Sequence, residues 1–201
     1  MRVIPRKRVS PEQVRRFWAD YDAHGRRSTR ILRFFRGGRF RQPVAFSASL
    51  LGTVRLFYDR RHLMFFLNKV NRLNRFFRDR KQEHFVFQPV QILHIDRKNF
   101  RLVERVYRFP NVDQIITPPM EGTYGFSLYQ RLVEKMKKKG VSHSEWWHAV
   151  MKAYDEYSNM VDYQSDIYLD VRKANTVVLD YDPKTKKVLL AQVDPGSSIK
   201  M

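Results

Sequence analysis

Residues 60–80 constrain the fold of this chain more than any other stretch, because they contain neither glycine nor proline and place apolar side chains at helical spacing. The apolar positions recur every three or four residues, at Leu63, Phe66, Leu67, Val70, Leu73 and Phe77. This spacing is typical of a long amphipathic helix, whose apolar face has to be buried against other elements. We expect a core position, rather than a base-stacking role, for its phenylalanines Phe65, Phe66, Phe76 and Phe77.

Short β-rich segments precede and follow the predicted helix. They span residues 30–35, 44–50, 53–58, 90–95 and 100–107. These segments are rich in β-branched and aromatic residues and are separated by glycine or by short polar connections, which is typical of antiparallel strands. We therefore predict a small antiparallel sheet around the helix, with residues 96–99 as a hairpin turn.

The rest of the chain predicts three more helices and a second hairpin. The helices are expected at 11–23, 128–139 and 142–157, and the hairpin strands at 176–181 and 187–193. Ser10 and Ser142 are suited to the N-cap position of the first and third of these helices. Gly140 is expected to end the helix at 128–139. The sequence Asp182-Pro183-Lys184-Thr185 is expected to form the turn of the hairpin.

Together these elements predict an α+β fold in two parts. We expect a basic helical extension at residues 1–29, a basic α+β part at 30–112, and a helical part that carries the second hairpin at 113–201. The connection from Thr117 to Gly125 contains two prolines and two glycines and marks the boundary between the two larger parts.

Composition excludes several classes of protein. The chain has no cysteine, so disulfides, thiolate metal sites and cysteine nucleophiles are ruled out. Its six histidines show no metal-ligand spacing. No apolar run approaches the roughly 18–20 residues of a membrane span, and the start lacks the apolar stretch of a secretory signal. We expect an intracellular protein, in the cytoplasm or an organellar matrix, without an integral membrane segment.

The segment Tyr168-Leu-Asp-Val-Arg-Lys-Ala-Asn175 is followed by the predicted hairpin and then by Asp194-Pro-Gly196. This order resembles the catalytic loop, hairpin and metal-binding triplet of protein kinases, H-R-D-L-x-x-x-N and D-F-G. The resemblance places Asp170 at the catalytic-base position and Arg172 where a basic residue faces the transferred phosphate. It makes Asn175 and Asp194 the metal ligands, and it implies ATP and Mg²⁺ as cofactors.

The resemblance extends with less detail into the first half of the chain. Gly37-Gly38 stands where a hairpin would cover the nucleotide phosphates, and Arg55 stands at the position of the small-lobe lysine. Helix 60–80 occupies the place of the regulatory helix but offers no glutamate for the usual ion pair. Tyr168 and Pro195 replace the family's His and Phe. The resemblance implies a minimal, atypical kinase-like phosphotransferase or a pseudoenzyme, with a protein substrate or a completing partner.

The charge of the first half indicates a different class of function. The chain has 39 basic and 20 acidic residues, and residues 1–100 hold 24 of the basic but only 7 of the acidic ones. The planar guanidinium group of arginine presents a fork of hydrogen-bond donors that suits the phosphates of a nucleic-acid backbone. The phosphate contacts are expected from Arg36, Arg39, Arg41, Arg72 and Arg75. The alternative to a kinase is therefore a non-enzymatic protein that binds a polyanion, RNA or a ribonucleoprotein such as the ribosome. The same basic helix also fits an anionic membrane surface.

Overall fold

The computed structural model describes residues 10–24, 31–35, 44–47, 52–105, 107–123, 125–164 and 171–193. In chain order its helices are α1 (Pro11–His24), α2 (Arg60–Arg78), α3 (Val112–Ile116), α4 (Phe126–Lys138) and α5 (His143–Gln164). Its strands are β1 (Ile31–Phe35), β2 (Val44–Ser47), β3 (Gly52–Leu56), β4 (Phe85–Gln88), β5 (Ile92–Asp96), β6 (Arg101–Arg105), β7 (Thr176–Asp182) and β8 (Lys187–Gln192). The predicted α+β fold is confirmed.

The chain divides into two compact units that alternate along the sequence. The first, here called the sheet unit, comprises Pro5–Asn68 and Val90–Val106, to the extent that these ranges are described. The second, the hairpin unit, comprises Lys69–Pro89 and Tyr107–Gly196 to the same extent. The first half of α2 therefore belongs to the sheet unit and the second half to the hairpin unit. None of the helices described has an apolar stretch long enough to cross a bilayer.

The sheet unit is built on an antiparallel sheet of five strands in the order β1-β2-β3-β6-β5. β5 and β6 form the hairpin that the sequence predicts, with Phe100 in the left-handed region of the turn at φ 50°. The capping box predicted at Ser10 is present, because Ser10 Oγ accepts the Gln13 amide at 3.1 Å and Gln13 Oε1 accepts the Ser10 amide at 3.0 Å. α1 packs on β3 and β6 through a core of Val14, Phe17, Trp18, Val54 and Val103.

The hairpin unit is built on three strands in the order β4-β8-β7. β7 and β8 are antiparallel, whereas β4 runs parallel to β8. Tyr157 of α5 is fully buried and stacks on Phe77 of α2 at a centroid distance of 5.4 Å. Phe77 in turn stacks on Phe87 of β4 at 4.2 Å. The Tyr157 hydroxyl donates to Gln192 Oε1 at 2.6 Å, so the stack is joined to β8 by a neutral hydrogen bond.

The α2 helix shows where periodicity predicts burial and where it does not. All six positions of its apolar repeat are buried. Phe66, Phe76 and Phe77 are buried as predicted, but Phe65 is 44% exposed, so its predicted place in the core is wrong. Phe65 lies two positions after the buried Leu63, whereas the buried Phe76 lies three positions after the buried Leu73 and therefore on the same face. On a helix the spacing of a residue therefore decides its burial more than its hydrophobicity does.

Two elements of the structure were not predicted. β4 has four residues and α3 has five, which is too short for a recognisable period in either case. β4 is a strand because Phe85 lies in register with Val188 of β8. α3 begins at a capping box formed by Asn111 and Gln114. That Asn-x-x-Gln pattern is the one local signal from which α3 was predictable.

Candidate functional site

The kinase-like segment ends in a tight turn that leads into β7. Residues Lys173–Asn175 form a single 3₁₀ turn, in which the Asn175 amide donates to the Arg172 carbonyl at 2.8 Å. Just after β8, the Val193 amide donates to the Asn175 carbonyl at 2.9 Å. Asn175 and Val193 therefore face each other at the open end of the β7–β8 hairpin. Asp194 follows Val193 directly in the sequence.

Side chains from two helical elements support this turn. The Tyr154 hydroxyl of α5 donates to the Val171 carbonyl at 2.7 Å. The side-chain amide of Asn111, which also caps α3, donates to the Ala174 carbonyl at 3.2 Å. Burial raises the pKa of Tyr154, so its hydroxyl remains a protonated donor at neutral pH. The sequence analysis identified neither Asn111 nor Tyr154 as part of the site.

The side chains of the turn provide cations beside an amide. Arg172 is exposed, and Lys173 and Asn175 are partly buried. The Lys173 ammonium lies 5.8 Å from the centre of the Tyr154 ring, which limits the region that its charge occupies. Two cationic residues and an amide residue in one turn are residue types that suit a phosphate accompanied by a divalent metal.

Several predicted site residues lie outside the described part of the chain. Asp170 and Asp194 of the kinase-like motif are among them, as are Gly37 and Gly38 of the phosphate-covering hairpin. The same holds for the predicted phosphate contacts Arg36, Arg39 and Arg41. Of the four predicted catalytic and metal residues, the structure describes Arg172 and Asn175 and brings them together in one turn.

Arg55 lies in the sheet unit on β3 and is 5% exposed. Its Nε donates to Glu104 Oε1 on β6 at 2.6 Å, and its guanidinium lies 5.0 Å from the centre of the Phe66 ring. Residue 55 thus has a carboxylate partner, which comes from a neighbouring strand and not from helix 60–80. Because Glu104 pairs with Thr53, Arg55 and Glu104 are diagonal neighbours across two strands. Only the register of β3 and β6 identifies Glu104 as the partner. That Arg55 contacts a nucleotide stays a prediction.

Arg72 and Arg75 are exposed on the part of α2 that belongs to the hairpin unit. Arg78 is also exposed one turn further on, while Leu73 and Phe77 are buried on the other side of the helix. This separation leaves a row of arginines facing solvent. Arg72 and Arg75 are the described members of the polyanion-binding surface that the sequence predicts.

Comparison of the chain with protein-family models, with curated proteins and with solved structures finds no match in any of the three. The function therefore has to be inferred from the residues and their geometry.

Proposed function

We propose that this chain is an atypical, minimal kinase-like protein that binds ATP and Mg²⁺, with phosphoryl transfer as its chemistry. The observation that carries the proposal is the hydrogen bond between the Val193 amide and the Asn175 carbonyl at 2.9 Å. It pairs the last residue of the catalytic-loop-like segment with the residue before Asp194. In the kinase motif the positions that correspond to Asn175 and Asp194 supply the metal ligands, and a hairpin joins them.

The residue types fit the group that they would hold. The amide oxygen of Asn175 and the carboxylate of Asp194 are hard oxygen donors of the kind that Mg²⁺ prefers. Among the described residues no three histidine, aspartate or glutamate side chains form a metal cluster. When bound, Mg²⁺ would neutralise the charge on the nucleotide phosphates. Asp170 would orient the acceptor hydroxyl, and Arg172 would stabilise negative charge on the transferred group.

The order of the elements supports the same proposal. In the sheet unit, β3 carries a buried basic residue that is paired with a carboxylate, and α2 follows directly. After α2 the chain forms β4 in the hairpin unit, then the β5–β6 hairpin of the sheet unit, and it returns to the hairpin unit at Tyr107. Apart from β4, this is the succession of strand, helix and hairpin that the resemblance implies for a kinase small lobe.

Two isosteric variants on one hairpin test the proposal. Asp194→Asn removes the carboxylate of the residue that follows Val193 in the sequence, and Asp182→Asn makes the same change at the turn of the hairpin. With ATP and Mg²⁺ at about 100 times Kd, bound nucleotide raises the free energy of unfolding by about 2.7 kcal/mol. We expect a thermal shift of several degrees for the parent protein and for Asp182→Asn, and none for Asp194→Asn. No shift in the parent, or an equal shift in both variants, contradicts nucleotide binding at this site.

A transfer assay separates an active enzyme from a pseudoenzyme. We expect labelled γ-phosphate to appear on protein acceptors and Asp170→Asn to abolish this labelling while the thermal shift remains. Binding without any labelling, by the parent as well as by Asp170→Asn, would contradict phosphoryl transfer and leave a nucleotide-binding pseudoenzyme.

The exposed arginines of α2 favour a second function, which is binding to RNA or a ribonucleoprotein. Arg72, Arg75 and Arg78 all face solvent on this helix. Binding of a fluorescent single-stranded or duplex RNA is then expected to weaken steeply with salt, because contacts to phosphate release counterions. Measuring anisotropy over a salt series tests this function, and the absence of binding at low salt contradicts it.

A further inference from the structure

A groove of about 650 Å³ lies between α1 and β5 in the sheet unit. Among the described strands β5 is at the edge of the five-stranded sheet, so this side of the groove has no neighbouring strand. The apolar part of the lining comes from Val14 and Trp18 on the helix and from Leu93 and Ile95 on the strand. None of the predicted site residues that the structure describes lines this groove.

Three cations line the same groove. Arg15 lies on α1, and Arg97 and Lys98 lie in the turn after β5. All three are exposed. Within the described part of the chain, none of their side chains forms a hydrogen bond, an ion pair or a ring contact. They therefore present positive charge that no described side chain neutralises.

Arg101 explains why the nearby carboxylates do not neutralise these cations. Its guanidinium donates to Asp22 Oδ1 at 2.6 Å and to Asp96 Oδ2 at 2.7 Å, and it lies 3.8 Å from the centre of the Trp18 ring. Burial of Asp96 opposes its ionisation, but hydrogen bonds from Asn99 and Arg101 outweigh this effect and lower its pKa to about 2. Asp96 is thus ionised at neutral pH, and both carboxylates are bound to Arg101.

His94 adds a neutral donor to the lining. Its Nδ1 accepts the indole N–H of Trp18 at 3.5 Å. Burial lowers the pKa of His94, so the ring is neutral at pH 7 and carries its proton on Nε2. The groove therefore combines three exposed cations, one neutral N–H donor, the carboxylate of Asp96 that is paired with Arg101, and an apolar wall.

We propose that the groove between α1 and β5 binds the sugar-phosphate backbone of a single-stranded nucleic acid, with Arg15, Arg97 and Lys98 contacting the phosphates. The inference rests on the second proposed function and assigns it a site that does not include the α2 arginines. From Leu93 to Asp96 the strand spans about 10 Å, the length of about three stacked nucleotides, and Arg97 and Lys98 follow in the turn. A single strand exposes sugar and base faces that suit the apolar wall, whereas a duplex hides its bases.

Anisotropy of a labelled twelve-residue oligouridylate tests the site with a matched pair of triple variants. The groove variant is Arg15→Gln/Arg97→Gln/Lys98→Gln. The control, Lys137→Gln/Lys138→Gln/Lys184→Gln, removes the same charge from exposed positions of the hairpin unit. We expect the groove variant to raise Kd at least tenfold and to lower the salt slope by about 2, since each lost phosphate contact contributes about 0.7. For the control we expect less than a threefold change in Kd.

The alternative outcomes separate the site from the function. If the parent binds and both variants lose affinity equally, the groove is not the site, although nucleic-acid binding stands. If the parent does not bind oligouridylate at low salt, the second proposed function fails together with the inference. Tighter binding of a labelled oligoglutamate than of oligouridylate would overturn the proposal in favour of an acidic peptide. Arg15→Lys/Arg97→Lys keeps the charge and is expected to stay within threefold of the parent.

Discussion

Arg55 in the sheet unit and Tyr157 in the hairpin unit are both buried polar side chains, but the two units satisfy them by different means. Arg55 is ion-paired with Glu104, which is 3% exposed. Tyr157 makes a neutral hydrogen bond to Gln192 and lies in an aromatic stack. A buried charge that loses its partner costs more than a lost neutral hydrogen bond. The sheet unit should therefore be sensitive to changes of charge and the hairpin unit to changes of ring packing.

The largest expected effect tests ring packing in the hairpin unit. Phe77→Ala removes a ring that is 4% exposed and stacks on both Phe87 and Tyr157. We expect a loss of about 3–5 kcal/mol in the free energy of unfolding, because the cavity adds to the lost burial. Phe65→Ala on the same helix is the control and should cost under about 1 kcal/mol, since Phe65 is partly exposed. Urea unfolding measures the loss in both variants. Equal losses would contradict the claim that the hairpin unit depends on the packing of the Phe77 ring.

The next effect tests charge in the sheet unit. Glu104→Gln leaves the Arg55 guanidinium buried without its counter-charge and should cost about 3 kcal/mol. The double variant Arg55→Met/Glu104→Met should cost less than Glu104→Gln alone, because it removes both charges. In the hairpin unit, Tyr157→Phe should cost only about 1 kcal/mol. If Glu104→Gln costs no more than Tyr157→Phe in urea unfolding, the contrast between the units is wrong.

Helix caps offer a smaller test of the same comparison, with one capping box in each unit. Ser10→Ala in the sheet unit removes the bond to the Gln13 amide and should cost about 1 kcal/mol. Asn111→Ala in the hairpin unit should cost about 1–2 kcal/mol, because Asn111 also donates to Ala174. Thermal unfolding measures both variants. A larger loss from Ser10→Ala would show that the contact with Ala174 does not stabilise the turn.

The smallest expected effect is a pH dependence in the sheet unit. The pKa of Asp96 is lowered from its ordinary value of 3.8 to about 2. The contribution of Asp96 to the free energy of unfolding is therefore complete above about pH 4 and is lost as the pH falls through about 2. Allowing for access to water, we expect this contribution to be about 1 kcal/mol. Asp96→Asn should remove this part of the acid sensitivity in unfolding midpoints measured from pH 5 to pH 2. A pH profile of Asp96→Asn that equals that of the parent protein would contradict this contribution of Asp96.

The sequence predicted those elements whose signals lie within a few neighbouring residues. α2 follows from its apolar repeat, α1 from the capping box at Ser10, and the second hairpin from its Asp-Pro-Lys-Thr turn. At the candidate site, the motif spacing identified Arg172 and Asn175, which the structure places in one turn. The same spacing carries no information on Tyr154 and Asn111, because these residues reach the turn from other elements.

Local patterns along the chain thus determined the α+β class, most of the helices and strands, and the basic character of the first half. Tertiary structure alone decided that β4 pairs in parallel with β8, that Glu104 is the partner of Arg55, and that Arg101 binds both Asp22 and Asp96. The physical reason is that turns, caps and periods depend on neighbours within one or two turns of backbone. Strand register and the neutralisation of charge depend on residues that only folding brings together.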